Sequence, residues 1–286
     1  PLNAGVLYCG HLSSPLFTPR FFVMCAYTFT VFVSLFQLLP AAPYHMLELG
    51  GTTFAAGLFL GFLTFASALS APVTGQIADR IGHRRVLIVV SVMLAVFSTS
   101  YAFISNYRVL LGVVLLHGLF WSGLLSASGA YMTATVPEHR RAEGLGYWGL
   151  ASVFSIAIAP PLGFWVYSYG WTALCLEIAA LNLIMAAIAW RLPDDRDEAA
   201  ALPSRVNTLK GLVEWRVLAL SGTMALIAFG YGALTTFSAL FADHIGVAPR
   251  SLFLTSMAAT VLLGRLTLGR FLDRFGPRRA LIPCLA

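Results

Sequence analysis

Eight stretches of the chain, separated by short polar breaks, are apolar over the ~20 residues that a helix needs to cross the ~30 Å of hydrocarbon in a bilayer. They cover residues 21–44, 53–73, 86–104, 109–132, 147–167, 171–190, 217–242 and 252–271, the last in spite of Arg265. Pro40, Pro160 and Pro161 fall inside them. Membrane helices tolerate such breakers because neighbouring helices can satisfy the freed backbone groups. The pattern predicts an all-α membrane protein with six helices before its one long polar stretch, 193–214, and two after it. The chain then divides into an N-terminal segment at 1–20, a six-helix half at 21–191, a linker at 192–216 and an incomplete second half at 217–286. Within the linker, Leu209, Leu212 and Val213 recur at helical spacing among Lys210, Glu214 and Arg216, a pattern open to a surface-lying amphipathic helix or to a plain tether.

Composition agrees with lipid as the main solvent. The chain is 58% hydrophobic and 10% charged, whereas a soluble domain carries ~25% charged residues to cover its surface. A net charge of +6 does not indicate nucleic acid, because the arginines stand in short clusters between apolar stretches and form no basic, aromatic-interleaved tract. Their distribution instead sets an orientation. With the N-terminus inside, one set of loops holds 15 of the 18 Lys and Arg residues and the other holds only Arg108 and Arg250. Positive loops stay cytoplasmic, so the N-terminus is expected in the cytoplasm.

Cys9, Cys25, Cys175 and Cys284 are far apart and form no metal-binding or disulfide pattern. No G-x-S-x-G, H-E-x-x-H or Walker motif occurs, and Lys210 is the sole lysine. No catalytic residue, metal or cofactor is therefore expected, and an enzyme is the weakest of the function classes. Without a nucleotide site, any work the chain does would draw on an ion gradient or on a solute's own gradient.

Two loops are near copies. Gly75, Asp79, Arg80, Gly82, Arg84 and Arg85 recur as Gly269, Asp273, Arg274, Gly276, Arg278 and Arg279, six identities in eleven positions at an offset of 194 residues. Each copy follows an even-numbered span. This G-x-x-x-D-R-x-G-x-R-R pattern, doubled at that spacing, resembles the signature loop of the major facilitator superfamily, a resemblance that covers residue 21 to the end. It implies that superfamily's fold, with a complete six-helix N-terminal bundle and the first two helices of the C-terminal bundle. It also implies a multi-pass protein of a bacterial cytoplasmic membrane that moves a small organic solute, with protons as a candidate coupling ion. Oligomeric state is not indicated. Measured against a full pair of halves, about four helices are wanting, so these residues alone are expected to insert in the bilayer without transporting. A transport-inactive sensor on the same fold would keep the same helices and stays open as an alternative.

The resemblance implies a conformational switch at Asp79 and Arg80, with Arg84 and Arg85 completing a charge relay or facing headgroups. Gly75 and Gly82 suit a close helix approach and a tight turn. The fifth span resembles the antiporter pattern G-x8-G-x3-G-P-x2-G-G. Gly146, Pro160 and Gly163 match it, Ser155 and Ala159 are small replacements, and Phe164 departs. Export is favoured on that ground, with small residues allowing tight packing and the prolines a kink. In the fourth span the R-x-x-Q-G of many proton-coupled members is replaced by Val114-Leu115-Leu116-His117-Gly118, which leaves His117 as a functional candidate or as a simple interhelical hydrogen bond. Glu177 lies about 9 Å into the sixth span and needs a partner or a proton there. The family places that helix at the periphery, so a structural partner competes with a cavity role. The first, fourth and seventh helices line the family's cavity, and they contribute Tyr27, Gln37, His117, Trp121, Tyr231 and Thr235, a mixture suited to a small organic molecule.

Overall fold

The computed structural model describes residues 15–195 and 215–275. Eight helices follow in order: α1 Pro19–Glu48, α2 Thr53–Ile81, α3 His83–Tyr101, α4 Tyr107–Thr135, α5 Arg141–Tyr167, α6 Trp171–Trp190, α7 Trp215–His244 and α8 Leu252–Phe275. Each expected span coincides with one of them. α1 to α7 each hold an apolar stretch of membrane-crossing length, and in α8 the apolar part is Leu252–Gly264. The linker stretch around Leu209, left open between a surface helix and a tether, lies outside the described residues.

Local signals set the helix ends. Thr18 and Thr52 accept hydrogen bonds from the backbone N–H groups of Phe21 and Ala55, both at 3.2 Å, and Asn106 accepts from Arg108 N at 2.9 Å. Such caps satisfy donors that a helix start leaves free. α2 and α3 are separated by the single residue Gly82 at φ +93°, a left-handed conformation that favours glycine. Pro40 and Pro43 in α1, Pro72 in α2 and Pro160 and Pro161 in α5 all sit inside continuous helices.

Alternate helix ends collect on two faces. One carries Gly82, the Glu138–Arg140 turn and Trp190, and is rich in arginine. The other carries Glu48, Asn106, Tyr167 and the α7–α8 turn, and is poor in it. Between these faces α1 packs on α5 and α6, α2 on α4, and α3 on α6 and α4. Close approach rests on small residues: a Cβ at Gly118 of α4 would collide with the Leu63 carbonyl oxygen of α2 and stand 2.9 Å from Ala66 Cβ. Without strong hydrophobic drive inside lipid, such close van der Waals contact is a main source of helix association. α7 leans on α2, where a Cβ at Gly57 would lie 3.0 Å from Phe237 Cζ, and α8 packs on α5. Large apolar side chains such as Phe54, Phe65, Leu69, Trp165 and Phe229 point outward and are more than half exposed. That surface fits a hydrocarbon solvent, and the chain is a multi-pass integral membrane protein.

Candidate functional site

At the arginine-rich face the signature loop meets the chain just after α6. Asp195 is buried and accepts hydrogen bonds from the backbone N–H groups of His83 and Arg84, each at 3.1 Å, so it caps α3 where Gly82 cannot. His83 Nδ1 stands 2.7 Å from the same carboxylate, and its Nε2 is 3.3 Å from Asp79. Burial pushes the Asp195 carboxyl up, but the His83 ring and the two backbone donors outweigh it and hold the group below the usual carboxylate range. Arg84 donates to the Trp190 carbonyl at 2.7 Å and lies over the Trp190 ring, while Arg85 pairs with Asp194 at 3.4 Å. The arginines expected to face headgroups or form a relay are thus turned to the start of the linker. Asp79 and Arg80 remain exposed in the last turn of α2. Gly82 makes the expected turn, whereas Gly75 serves no close approach, since a Cβ there would meet nothing within 4 Å among the described residues. In the second copy, Gly269, Asp273 and Arg274 fall in the final turns of α8, and Gly276 lies outside the described residues.

Inside the membrane a polar seam joins α1, α3 and α6. Tyr27 Oη and Ser91 Oγ are 3.0 Å apart, Ser34 donates to Asn182 Oδ1 at 2.9 Å, and Asn182 Nδ2 donates to Ser98 at 3.0 Å. One turn beyond Ser34, Gln37 Nε2 donates to Glu177 Oε1 at 3.2 Å. The peripheral placement expected for the sixth helix therefore does not isolate Glu177, whose partner belongs to the first helix. His117 turns to α3, with Nδ1 2.8 Å from Tyr101 Oη and its ring stacked on Phe97.

A cavity of about 150 Å³ lies between α1, α4 and α5, in the half of the bundle nearer the arginine-rich face. Phe32, Leu124, Leu125 and Trp148 line it, together with the hydroxyls of Thr28, Ser128 and Ser152. The Trp148 indole donates to Thr28 Oγ1 at 2.7 Å. Of the residues expected at the cavity, Trp121 stands edge-on to the lining residue Phe32, ring centroids 6.4 Å apart. Tyr27, Gln37 and His117 turn to neighbouring helices. Tyr231 is partly exposed on α7, and Thr235 bonds to its own helix at the Tyr231 carbonyl, 3.0 Å away. Sequence reading did not single out Trp148 or Thr28. Their helical period is indistinguishable from packing. Of the antiporter-like residues, Gly163 is tightly seated on α1, Pro160 is buried, and Gly146 has no neighbour against its Cβ position among the described residues.

The arginine-poor face is bridged between the two helical groups. Tyr44 Oη of α1 donates to Asp243 Oδ2 of α7 at 2.9 Å, Arg250 Nε reaches Asp243 Oδ1 at 2.8 Å, and the guanidinium lies 5.1 Å from the Tyr44 ring centroid. Beside it, Glu48 accepts from Tyr167 Oη at 2.8 Å and sits 3.2 Å from His45 Nδ1, whose ring stacks on Trp171 at 4.2 Å.

This arrangement defines a polytopic helical membrane protein with a polar seam, a small interior cavity and a bridged end. The sequence pattern of the Major Facilitator Superfamily matches residues 21–286, and the chain belongs to that family. It is similar to the staphylopine export protein of Staphylococcus aureus strain Mu50, 26% identical over 247 residues, which is 80% of this chain and 60% of that protein. It is also similar to the quinolone resistance protein NorA of the same organism, 19% identical over 260 residues, 90% of this chain and 67% of that one. The chain thus spans less than two thirds of the staphylopine exporter's length. Among solved structures, the nucleoside transporter NupG shares the fold with a TM-score of 0.62 at 16% identity, covering 91% of this chain and 69% of that one. A mutant of the same transporter gives 0.63.

Proposed function

We propose that the protein carries a small organic molecule outward across the membrane, driven by an ion gradient. The observation that carries this reading is the combination of an interior cavity towards the arginine-rich face with a bridged arginine-poor face, since a carrier working by alternating access opens one side while the other is closed. Positive loops favour the cytoplasm for the arginine-rich face, so the cavity would load from inside. Export is supported by Gly146, Pro160 and Gly163 of the antiporter-like pattern and by the names of the two relatives, an export protein and a resistance protein. An uncharged lining of indole, phenyl and hydroxyl groups suits an aromatic or amphipathic molecule. Asp79 and Arg80 are read as the moving part of the signature loop.

Orientation is tested by single cysteines. A membrane-impermeant thiol reagent added to intact cells should label position 106 and leave position 138 unlabelled until the cells are opened; the reverse pattern would overturn the topology. Function is tested in inverted membrane vesicles from cells expressing the complete open reading frame. An aromatic dye should accumulate in a manner abolished by collapsing the proton gradient, and Asp79→Asn should cut the initial rate several-fold with membrane insertion unchanged. Dye movement that ignores both the proton gradient and a sodium gradient would refute ion coupling, and equal rates in the two proteins would remove Asp79 from the mechanism.

A further inference from the structure

α1, α5 and α6 converge on a pair of side chains outside the cavity. Gln37 is fully buried, and its amide donates to Glu177 Oε1 at 3.2 Å. The remaining oxygen of each group, Gln37 Oε1 and Glu177 Oε2, is sealed from solvent and has no hydrogen-bond partner among the described residues. With Glu177 ionised both atoms are acceptors, so neither can satisfy the other. Unmet acceptors are costly in a buried site, and more so when one is charged inside a membrane.

A single proton removes both deficits. A carboxylic acid and a primary amide form a closed ring with two hydrogen bonds, the amide N–H donating to the acid carbonyl and the acid O–H donating to the amide carbonyl. The first of these is present; the second requires that Glu177 Oε2 carry a hydrogen and turn to Gln37 Oε1. We propose that Glu177 is a proton-binding site within the membrane, held in the acid form by pairing with Gln37 while α1 and α6 are packed together. When the helices part, the acid loses its ring partner and its O–H gives the proton to water, leaving a solvated carboxylate and hydronium. That release step rests on the transport reading above, whereas the protonated pair does not.

Among the described residues the surroundings offer no cation that could hold the charged form. Glu177 forms no ion pair among the described residues. Towards the arginine-poor end, α1 presents Tyr44, His45 and Glu48 two or more turns beyond Gln37. Glu48 is occupied by His45 and by Tyr167 of α5, and Tyr44 by Asp243. α3 brings Tyr101, whose hydroxyl meets His117, and α6 itself carries Cys175. Towards the arginine-rich end Tyr27 pairs with Ser91, and His83, Arg84 and Arg85 of α3 and Arg141, Glu143 and Tyr147 of α5 stand at the opposite end of the bundle.

A second observation ties the pair to the antiporter-like stretch. A Cβ at Gly163 would lie 2.9 Å from Gln37 Cα and Cβ and 3.0 Å from its carbonyl oxygen. α5 therefore rests on the backbone of the very residue that holds Glu177. A shift of α5 would be felt directly at the proton site.

Infrared spectroscopy of the chain in lipid nanodiscs, without substrate, tests the pair. At neutral pH a protonated-carboxyl carbonyl band is expected that vanishes in Glu177→Gln and persists in Glu48→Gln. Gln37→Leu should move it to higher wavenumber, because the carbonyl loses its N–H donor. Absence of a Glu177-dependent acid band at neutral pH would overturn the proposal, as would carboxylate bands that respond to sodium and not to pH. In vesicles the same Glu177→Gln change should abolish the pH dependence of flux; flux that keeps its pH dependence refutes the release step. A Glu177 acid band in a protein that moves no dye would count against the transport reading and leave the proton site standing.

Discussion

Replacing Gly118 by valine is expected to destabilise the six-helix half by about 3 kcal/mol or more, at the upper end of the overpacking range. The atoms in the way are the carbonyl oxygen and carbon of Leu63 and the Cβ of Ala66. None is the end of a flexible side chain, so α2 and α4 must move apart along their shared face. Gly112 on the same helix is the control, because a Cβ there would meet nothing within 4 Å among the described residues. Thermal unfolding in detergent should show a large drop for Gly118→Val and a small one for Gly112→Val. Equal drops would mean that the glycine contact does not hold the two helices.

Asp195→Ala should release the start of the linker from α3. The substitution removes two backbone hydrogen bonds of an N-cap, for which losses of ~0.5–2 kcal/mol are typical, together with the contact to His83. Acidification should mimic it. The folded-state pKa of Asp195 lies below the ordinary value, so its contribution is full above the unfolded carboxylate pKa and fades as pH falls through the lower folded value. Hydrogen exchange at the first amides of α3 should rise in Asp195→Ala at neutral pH, and the mutant should lack the acid-dependent rise expected of the parent. Protection unchanged by the substitution would show that the cap is not formed in the bilayer.

Much of this architecture is legible in the sequence because length and hydrophobicity alone decide what can cross a bilayer, and the eight expected spans coincide with α1 to α8. The turn at Gly82 is legible for a related reason, since a reversal within one residue calls for glycine. Pairings between helices are not. Gln37 and Glu177 each stand out as polar groups in apolar helices, but their meeting depends on how α1 rotates against α6, which periodicity does not specify. Asp195 reads as one more charge in a polar linker, and only the path of the chain after Trp190 brings it under α3. Gly75 and Gly146 fail in the opposite sense, being motif glycines whose surroundings are open among the described residues.

The Gln37–Glu177 hydrogen bond spans 140 residues of chain, and the Ser34–Asn182 bond spans 148. Synthesis at ~5–20 residues per second separates the emergence of such partners by on the order of ten seconds. Throughout that interval α1 resides in the membrane with an amide and a hydroxyl lacking their eventual companions, while α2 to α5 are still being delivered. α1 is thus made well before the helix that completes its contacts, and the bundle closes around these two bonds only once α6 has left the ribosome.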